Sequence, residues 1–252
     1  MKARPTALRR RSLSWARAIL DWFLPGRCPL CLALTGEPRL CRSCSSVVPA
    51  PRPPLCPCCG RPEPGRSREA LCPRCSRARP GYDRARACAL YGETPAFRSP
   101  LAELLHRYKY GREVTLARPL AHLLLERCPF EPAYDLLVPV PLHPERLRWR
   151  GFNHALLLAR PLGRRWRLPV EPRVLRRWRD TPPQVGLPES QRRRNVAGAF
   201  RVRRPDRICG RRVLLVDDVL TTGATLDACA RALRDAGAER VDALALAQVT
   251  GP

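Results

Sequence analysis

Two adjacent carboxylates in the stretch VLLVDDVLTTGATL (213–226) are the residues in this chain best suited to do chemistry. Asp217 and Asp218 directly follow four apolar residues, 213–216, whose pattern predicts a buried strand. In an open parallel sheet, ligands bind beyond the carboxyl ends of the strands, which is where we expect these aspartates. Two neighbouring carboxylates can accept hydrogen bonds from a vicinal diol, such as the adjacent hydroxyls of a ribose.

The segment after the aspartates has the composition of a phosphate site. TTGAT (221–225) leads into a predicted helix, and Gly223 lets the backbone approach a ligand closely. The N–H groups at the start of that helix, with the hydroxyls of Thr221, Thr222 and Thr225, can surround a phosphate. A diol site and a phosphate site so close together predict binding of a ribose 5-phosphate. The Gly-rich dinucleotide and P-loop signatures are absent, and an acidic turn with a threonine cap is the plain alternative.

Four CxxC pairs lie between residues 28 and 75. A CxxC turn directs two thiolates at one ion, and two such turns complete a tetrahedral zinc site. Pairing in chain order predicts two structural zinc ribbons, 28–44 and 56–75, although the spacing leaves other pairings open. The segment is poor in large apolar residues, so the metal would supply its folding free energy. The predicted ligands are Cys28, Cys31, Cys41, Cys44, Cys56, Cys59, Cys72 and Cys75.

The remaining cysteines give no sign of a disulfide framework. The chain has 13 cysteines but no recognisable export signal, and disulfides are rare in reducing compartments. Cys58 falls inside a CxxC pair and is predicted to be a bystander. The isolated cysteines Cys88, Cys128, Cys209 and Cys229 are predicted to be small buried residues.

From about residue 81 onward, predicted strands alternate with predicted helices. This order predicts an α/β domain with a largely parallel sheet flanked by helices. Pro161 should kink or end the helix that contains it, and the arginine-rich, proline-broken segment 176–198 is predicted to be a long mobile loop. The apolar runs that predict strands are 134–143, 199–202, 213–216 and 241–247, and the predicted helices are 96–111, 113–128, 153–166 and 224–236.

Charge and hydropathy narrow the choice of partners. With 47 Lys+Arg against 22 Asp+Glu, the net charge of +25 favours an anionic partner, whether nucleic acid, a phosphorylated metabolite or a membrane surface. GC-rich coding would explain the preference for arginine over lysine but not the scarcity of acids. No window approaches the ~20 apolar residues of a membrane span, so we expect no stable membrane insertion.

The N-terminal segment 1–27 is basic and amphipathic. Its apolar residues recur at helical spacing, which predicts a helix docked on the rest of the protein, with a peripheral membrane anchor as the alternative. Charged residues interrupt the apolar stretch and no small-residue cleavage site follows, so we predict a cytoplasmic protein rather than an exported one. These apolar residues are Leu13, Ala16, Ile19, Leu20 and Phe23.

The stretch VLLVDDVLTTGAT is similar to the phosphoribosyl-pyrophosphate (PRPP) motif of type I phosphoribosyltransferases. Together with the CxxC pairs and four further motifs, it makes the chain resemble the ComF family, which is associated with bacterial competence for DNA uptake. Two departures from the family pattern are His154 and Pro161. The resemblance implies a double zinc ribbon over 28–80 and a phosphoribosyltransferase-like domain over 81–252. The further motifs are HRYKYG (106–111), VPVPLHPERLRWRGFN (138–153), DTPPQVGL (180–187) and RRRNVAGAF (192–200).

The resemblance also implies roles for individual residues. The carboxylates would hold the ribose hydroxyls of PRPP, and the residues of TTGAT, Ala224 included, would hold its 5-phosphate. The turn after the first strand would line the pyrophosphate, with Mg²⁺ bridging its oxygens. The 176–198 segment would close over the site and exclude water. The residues implied for the pyrophosphate side and the closing segment are Pro141, Leu142, His143, Lys109, Arg150, Asn153, Arg192, Arg193 and Asn195.

Two functions of different class are compatible with these residues. One is a working phosphoribosyltransferase that transfers the sugar to an unknown nitrogen acceptor. The other is a catalytically inactive accessory protein that binds single-stranded DNA or partners of the DNA-uptake machinery. It is favoured by arginines interleaved with aromatic rings at 146–153, 164–167 and 176–179. A receiver-like domain with a phosphoacceptor aspartate is a third hypothesis, which TTGAT and the zinc module disfavour.

Overall fold

The computed structural model describes residues 26–92, 99–128, 134–181 and 189–250. The amphipathic segment predicted over 1–27 therefore lies almost entirely outside the described residues, as does 182–188 of the predicted loop. None of the helices in the described ranges has the length and apolar character that a membrane span requires.

The cysteine-rich module contains short elements joined by turns. It comprises β1 (Gly26–Arg27), β2 (Leu34–Gly36), α1 (Arg42–Ser46) and α2 (Pro73–Arg77). Strands β1 and β2 pair antiparallel, and each short helix begins immediately after a cysteine at its N-cap position, Cys41 or Cys72. Elements this short bury almost no core of their own, which agrees with a module that folds around its cysteines.

A parallel sheet forms the centre of the rest of the chain. Four strands are hydrogen-bonded in the order β3-β8-β7-β4, with all three pairings parallel, and β5 and β6 form a separate antiparallel pair. The central strands are buried on both faces, as their nearly continuous apolar sequence predicts. The strands are β3 (Ala85–Gly92), β4 (Leu136–Pro139), β5 (Leu175–Arg177), β6 (Phe200–Val202), β7 (Arg212–Leu220) and β8 (Arg240–Thr250).

Helices cover both faces of this sheet. On one face α4 and α6 pack on the strands, and on the other α8 does so, with β6 packed against α8. Leu226, Ala230 and Leu233 recur at helical spacing along α8 and are fully buried, as predicted. The predicted α/β class is confirmed. The helices are α3 (Pro100–Lys109), α4 (Ala117–Arg127), α5 (Pro144–Arg150), α6 (His154–Trp166), α7 (Glu189–Val196) and α8 (Ala224–Asp235).

The strand predicted to end at residue 216 continues to Leu220, so the aspartates lie within β7 rather than after it. The reason is the neighbouring strand: β8 runs alongside, pairing Asp217 with Ala245 and Leu220 with Gln248, and the ladder continues as far as β8 offers partners. The side chains of Asp217 and Asp218 therefore point to opposite faces of the sheet.

Helix α6 also differs from expectation, because it runs through Pro161 to Trp166 without ending there. Proline removes one hydrogen bond, but Leu158, Ala159 and Leu162 are completely buried on either side of it. This packing against β4 and β7 offsets the lost bond.

The prediction of a long mobile loop over 176–198 was wrong at both ends. The segment begins inside β5 and, after the undescribed stretch, ends in α7. Antiparallel pairing of Arg177 with Phe200 orders the first end, and packing of α7 on α8 orders the second. The polar local sequence predicts a loop, and the contacts that order the segment could not be read from it because they involve residues distant in the chain.

Candidate functional site

Asp217 and Asp218 lie half-buried near the carboxyl end of β7, at the edge of the sheet where ligands are expected. Their environments differ. Asp218 forms an ion pair with Lys109, the last residue of α3, with 3.2 Å between Nζ and Oδ1. Asp217 accepts a hydrogen bond of 2.9 Å from the backbone N–H of Asp218 and has no ion-pair partner among the described residues.

The different environments move the two pKa values apart. Burial, and then the charge of Asp218, raises the pKa of Asp217 to about 7. Burial opposes ionisation of Asp218 too, but nearby positive charges, with the Lys109 ammonium foremost, together hold the pKa of Asp218 below its ordinary value. Near neutral pH Asp218 is therefore ionised, whereas Asp217 is only partly ionised, and a ligand or cation beside it would favour its charged form.

The ends of α3 and α6 form a platform beside this pair. His154 is 2 % exposed, its Nε2 lies 3.1 Å from the carbonyl of Tyr108, and the Tyr108 hydroxyl donates to the carbonyl of His154 at 2.9 Å. Burial lowers the pKa of His154, which favours its neutral form. Arg150, the last residue of α5, lies 3.5 Å from His154 Nδ1 and 5.7 Å from the ring of Tyr110. His154, which departs from the family pattern, is thus a packed structural residue.

The predicted phosphate residues form the turn between β7 and α8. Gly223 has a φ of +79°, in the left-handed region, and a Cβ there would lie 2.9 Å from the hydroxyl of Tyr82. The N–H of Ala224 donates to Thr222 Oγ1 at 3.3 Å, and Arg74 of α2 donates to the Thr222 carbonyl at 3.2 Å. The turn thus requires glycine for conformation and for space. Thr221 and Thr225 are half-buried beside it.

The turn after β4 lies next to β7. Val140 donates to the carbonyl of Val216 at 2.9 Å, which brings Pro141–His143 to the same edge of the sheet as the aspartates. His143 occupies the N-cap position of α5, and its Nδ1 lies 3.5 Å from a carboxylate oxygen of Asp180. Pro141 is buried, while Leu142 and His143 are half-buried.

Asn153 has a structural position. Its Nδ2 donates to the carbonyl of Val140 at 3.0 Å, and its Oδ1 accepts from the N–H of Leu156 at 3.3 Å. The side chain therefore caps α6 and fixes the strand that precedes the Pro141 turn. Its amide is committed to the backbone on both sides.

Arg177 is a residue at this site that the sequence did not single out. It is 5 % exposed, its Nη2 donates to the hydroxyl of Thr181, and its guanidinium lies 5.6 Å from the ring of Phe200. Its Nε is buried without a hydrogen-bond partner among the described residues. Burial lowers its pKa, and it is close enough to Asp217 for each to affect the other's pKa. In a run of arginines, only the pairing of β5 with β6 shows which one points inward.

The arginine-rich helix α7 differs from expectation in which of its arginines lies at the site. Arg193, rather than Arg192, lines the pocket beside the 221–223 turn. Arg192 is half-buried on the same helix. The resemblance named both, and only the helical phase of α7 distinguishes them.

The eight cysteines of the CxxC pairs form two groups in chain order. The first cluster is Cys28, Cys31, Cys41 and Cys44, and the second cluster is Cys56, Cys59, Cys72 and Cys75; within each, all four sulfurs lie within 4.8 Å of one another. Cys31 and Cys41 Sγ are 3.5 Å apart, and Cys59 and Cys72 Sγ 3.6 Å. Zn–S bonds of about 2.3 Å in a tetrahedron place sulfurs ~3.8 Å apart, so both clusters fit zinc and neither contains a disulfide.

Two family models match the chain. Residues 19–76 match the double zinc ribbon domain, and residues 174–250 match the phosphoribosyl transferase domain. The match over 174–250 contains the two aspartates, the 221–223 turn and Arg177. The first match contains all eight cysteines of the two clusters.

Individual proteins are similar over most of the chain. The DNA utilization protein YhgH of Escherichia coli strain K12 is 34% identical over 227 residues, covering 86% of this chain and 95% of that protein. Competence protein F of Haemophilus influenzae is 35% identical over 156 residues, covering 59% of this chain and 68% of that protein. Among solved structures, the glutamine PRPP amidotransferase of Bacillus subtilis is 20% identical with a TM-score of 0.37, covering 53% of this chain and 26% of that one.

The order of the two domain matches and the identity to these relatives agree with the motifs found in the sequence. The chain belongs to the ComF family of competence-associated proteins, in which a double zinc ribbon precedes a phosphoribosyltransferase domain.

Proposed function

We propose that this protein binds PRPP at the junction of β7 and α8 and transfers its phosphoribosyl group to a nitrogen acceptor, in a process that serves DNA utilisation. The observation that carries the proposal is the joint placement of Asp217 and Asp218 beside Lys109, immediately before a glycine turn at a helix N-terminus. This arrangement offers hydrogen-bond acceptors for a diol and donors for a phosphate a few residues apart. The names of the relatives support the cellular process.

In this proposal the two carboxylates have separate tasks. Asp218, kept ionised by Lys109, accepts hydrogen bonds from the ribose hydroxyls at all pH values near neutrality. Asp217 becomes fully ionised when the ligand's hydroxyls or a cation replace the water lost on burial. The 221–225 segment receives the 5-phosphate through backbone N–H groups and threonine hydroxyls.

The pyrophosphate would lie towards the Pro141–His143 turn, within reach of Lys109 and Arg150. The nitrogen lone pair of the acceptor forms a bond to the anomeric carbon as the carbon–oxygen bond to pyrophosphate breaks. Positive charge develops on the sugar ring, and negative charge on the leaving pyrophosphate. Cationic side chains held in place before the reaction stabilise that negative charge without reorganisation.

Asp217 is the oxygen donor best suited to Mg²⁺ at this site. Its carboxylate has no ion-pair partner among the described residues, and its raised pKa would fall when a cation binds. Mg²⁺ bound together with PRPP would neutralise pyrophosphate charge. The two aspartates and the 221–225 segment would position the sugar beside the metal ion.

Calorimetric titration with PRPP in the presence of Mg²⁺ tests the binding part of the proposal. The double variant Asp217→Ala plus Asp218→Ala should lose at least tenfold in affinity, while Asp206→Ala, an exposed aspartate on a distant turn, should bind like the wild type. Undiminished affinity in the double variant would rule out this site. Release of pyrophosphate in the presence of a panel of nitrogen bases tests the transfer step separately.

A second candidate function is binding of single-stranded DNA without catalysis. Trp149 is 61% exposed and Tyr110 49%, and Arg112 donates to the carbonyl of Trp149 at 2.8 Å. Exposed rings among arginines suit base stacking and phosphate contacts. A salt-dependent DNA affinity that survives the double aspartate substitution would favour this function.

We further propose that the zinc module and the phosphoribosyltransferase-like domain divide between residues 80 and 81. Strand β3 begins at Ala85, whose N–H donates to the carbonyl of Cys58 at 2.6 Å. The boundary is thus a short connection between closely packed units. Limited proteolysis should cut there only after metal removal.

A further inference from the structure

The second cysteine cluster lies against the proposed phosphate site. A pocket between them is lined on one side by Arg61, Arg74 and Cys75 and on the other by the residues of the 221–223 turn. Arg74 lies between the cluster ligands Cys72 and Cys75, on α2. The side chain of Arg74 therefore connects this ribbon directly to the turn.

Several contacts fix the ribbon to the elements that flank the turn. Gln248, opposite the end of β7, donates to the carbonyl of Cys59 at 3.1 Å. The N–H of Gly81 donates to the carboxylate of Asp227, in the first turn of α8, at 2.6 Å. The Tyr82 hydroxyl lies against Gly223. The strand, the turn and the helix thus each contact the second ribbon or the residues just after it.

The first cluster contacts a different part of the molecule. Arg107 of α3 donates to the carbonyl of Pro29 at 3.0 Å, and Arg127 of α4 donates to the carbonyls of Ser45 and Val48. These helices cover the opposite face of the sheet from α8. The two clusters are therefore not equivalent with respect to the turn.

The Arg74 contact has a specific geometric consequence. The carbonyl of Thr222 accepts from Arg74 Nη2 at 3.2 Å, and the same peptide group carries the N–H of Gly223. Because a trans peptide is planar, its N–H points opposite to its C=O, so Arg74 also fixes the direction of the Gly223 N–H. A glycine peptide with a positive φ can rotate at little steric cost, so without this contact the orientation would be poorly defined.

We infer that the second zinc ribbon is part of the phosphate site, with Arg74 as a positioning residue for the 221–223 turn, so that zinc binding at the second cluster and phosphate binding at the turn are linked. This inference rests on the proposed function. Linkage is reciprocal: if zinc at Cys56, Cys59, Cys72 and Cys75 strengthens phosphate binding, the phosphate ligand strengthens retention of that zinc by the same factor. The first cluster takes no part in it.

The first test measures ribose 5-phosphate binding by calorimetry on the zinc-loaded full chain. Arg74→Gln, whose shorter and uncharged side chain does not reach the carbonyl, should bind about tenfold more weakly, whereas Arg74→Lys, which keeps the charge and the reach of the side chain, should recover most of the affinity. Arg77→Gln is the matched control, because Arg77 is an exposed arginine on the same short helix. Equal affinity of Arg74→Gln and Arg77→Gln would overturn the inference.

The second test needs no variant of Arg74. Zinc release to a chromogenic chelator is followed with and without ribose 5-phosphate, and the Cys31→Ser chain, which lacks a first-cluster ligand, assigns the two phases. The ligand should slow release from the second cluster about tenfold and leave the first unchanged. If the chain binds ribose 5-phosphate but the ligand slows both phases of zinc release equally, or slows neither, the linkage is refuted and the proposed function is not. A wild-type chain that fails to bind the ligand would instead refute the proposed function.

Discussion

Lys109 Nζ lies 3.2 Å from Asp218 Oδ1, and this ion pair distinguishes two aspartates that are adjacent in sequence. Asp218 is held charged by a lysine at the end of α3, 109 residues earlier in the chain. Asp217, one position away on the same strand, has no such partner among the described residues, and burial raises its pKa. The pair therefore combines a permanent acceptor with one that titrates near neutral pH.

Substituting the two aspartates should change stability in opposite directions at pH 8. The folded chain holds a proton on Asp217 up to a pKa of about 7, against an ordinary value of 3.8, so stability falls as pH rises through that interval. Asp217→Asn removes this cost and should raise the thermal midpoint by about 2–4 °C for each kcal/mol recovered. Asp218→Asn leaves Lys109 half-buried without its carboxylate and should lower the midpoint. Differential scanning calorimetry measures both, and shifts of the same sign would contradict the assignment.

The affinity for PRPP should increase between pH 6 and pH 8 because ionised Asp217 is the better acceptor for the ribose hydroxyls. We expect a change of about tenfold, corresponding to roughly one pKa unit of coupling. Phosphate groups of the ligand titrate in the same range, so the informative quantity is the difference from Asp217→Asn. By calorimetry, the PRPP affinity of Asp217→Asn should depend less on pH than that of the wild type. If the two chains show the same pH dependence, Asp217 is not its source.

Cys58→Ser should leave the zinc content unchanged, whereas Cys59→Ser should lose one zinc per chain. Cys59 belongs to the second cluster and Cys58 does not, although both are buried. Metal analysis of the purified chains measures the ratio. Loss of zinc from the Cys58 variant would mean that this cysteine, and not one of its neighbours, completes the site.

Gly223→Ala should weaken phosphate binding far more than Gly198→Ala. Both glycines have a positive φ, +79° and +64°, so the backbone cost of about 1 kcal/mol is shared. Only at Gly223 would the new Cβ meet another group, the Tyr82 hydroxyl at 2.9 Å, and so displace the turn. Titration with ribose 5-phosphate compares the two variants. Similar affinities would show that the turn does not hold the ligand.

Trp149→Ala should weaken binding of single-stranded DNA about tenfold if a base stacks on this ring. Trp178→Ala is the matched control: it is also exposed, at 45% against 61%, but the guanidinium of Arg201 already lies over its ring at 4.0 Å. Fluorescence anisotropy with a labelled oligothymidine at two salt concentrations measures the effect. Equal losses for both variants would indicate general charge attraction without a stacking site.

Much of the site was predictable because its parts are contiguous in sequence. The acidic pair, the glycine turn and the start of α8 occupy residues 217–225, and their order along the chain already implies a strand, a turn and a helix N-terminus. The CxxC spacing likewise implies two metal sites, since each pair of ligands is local. The boundary of β7 was predicted too early because β8, a distant strand, extends it.

The sequence by itself determined the α/β class, the two cysteine clusters and the acidic and glycine residues of the proposed ligand site, because these depend on local spacing and periodicity. Only the tertiary structure decided that Asp218 pairs with Lys109, that Arg177 is buried near Asp217, and that Arg74 of the second ribbon holds the 221–223 turn. Each of these contacts joins residues far apart in the chain, and among so many arginines no local pattern marks the few that packing turns inward.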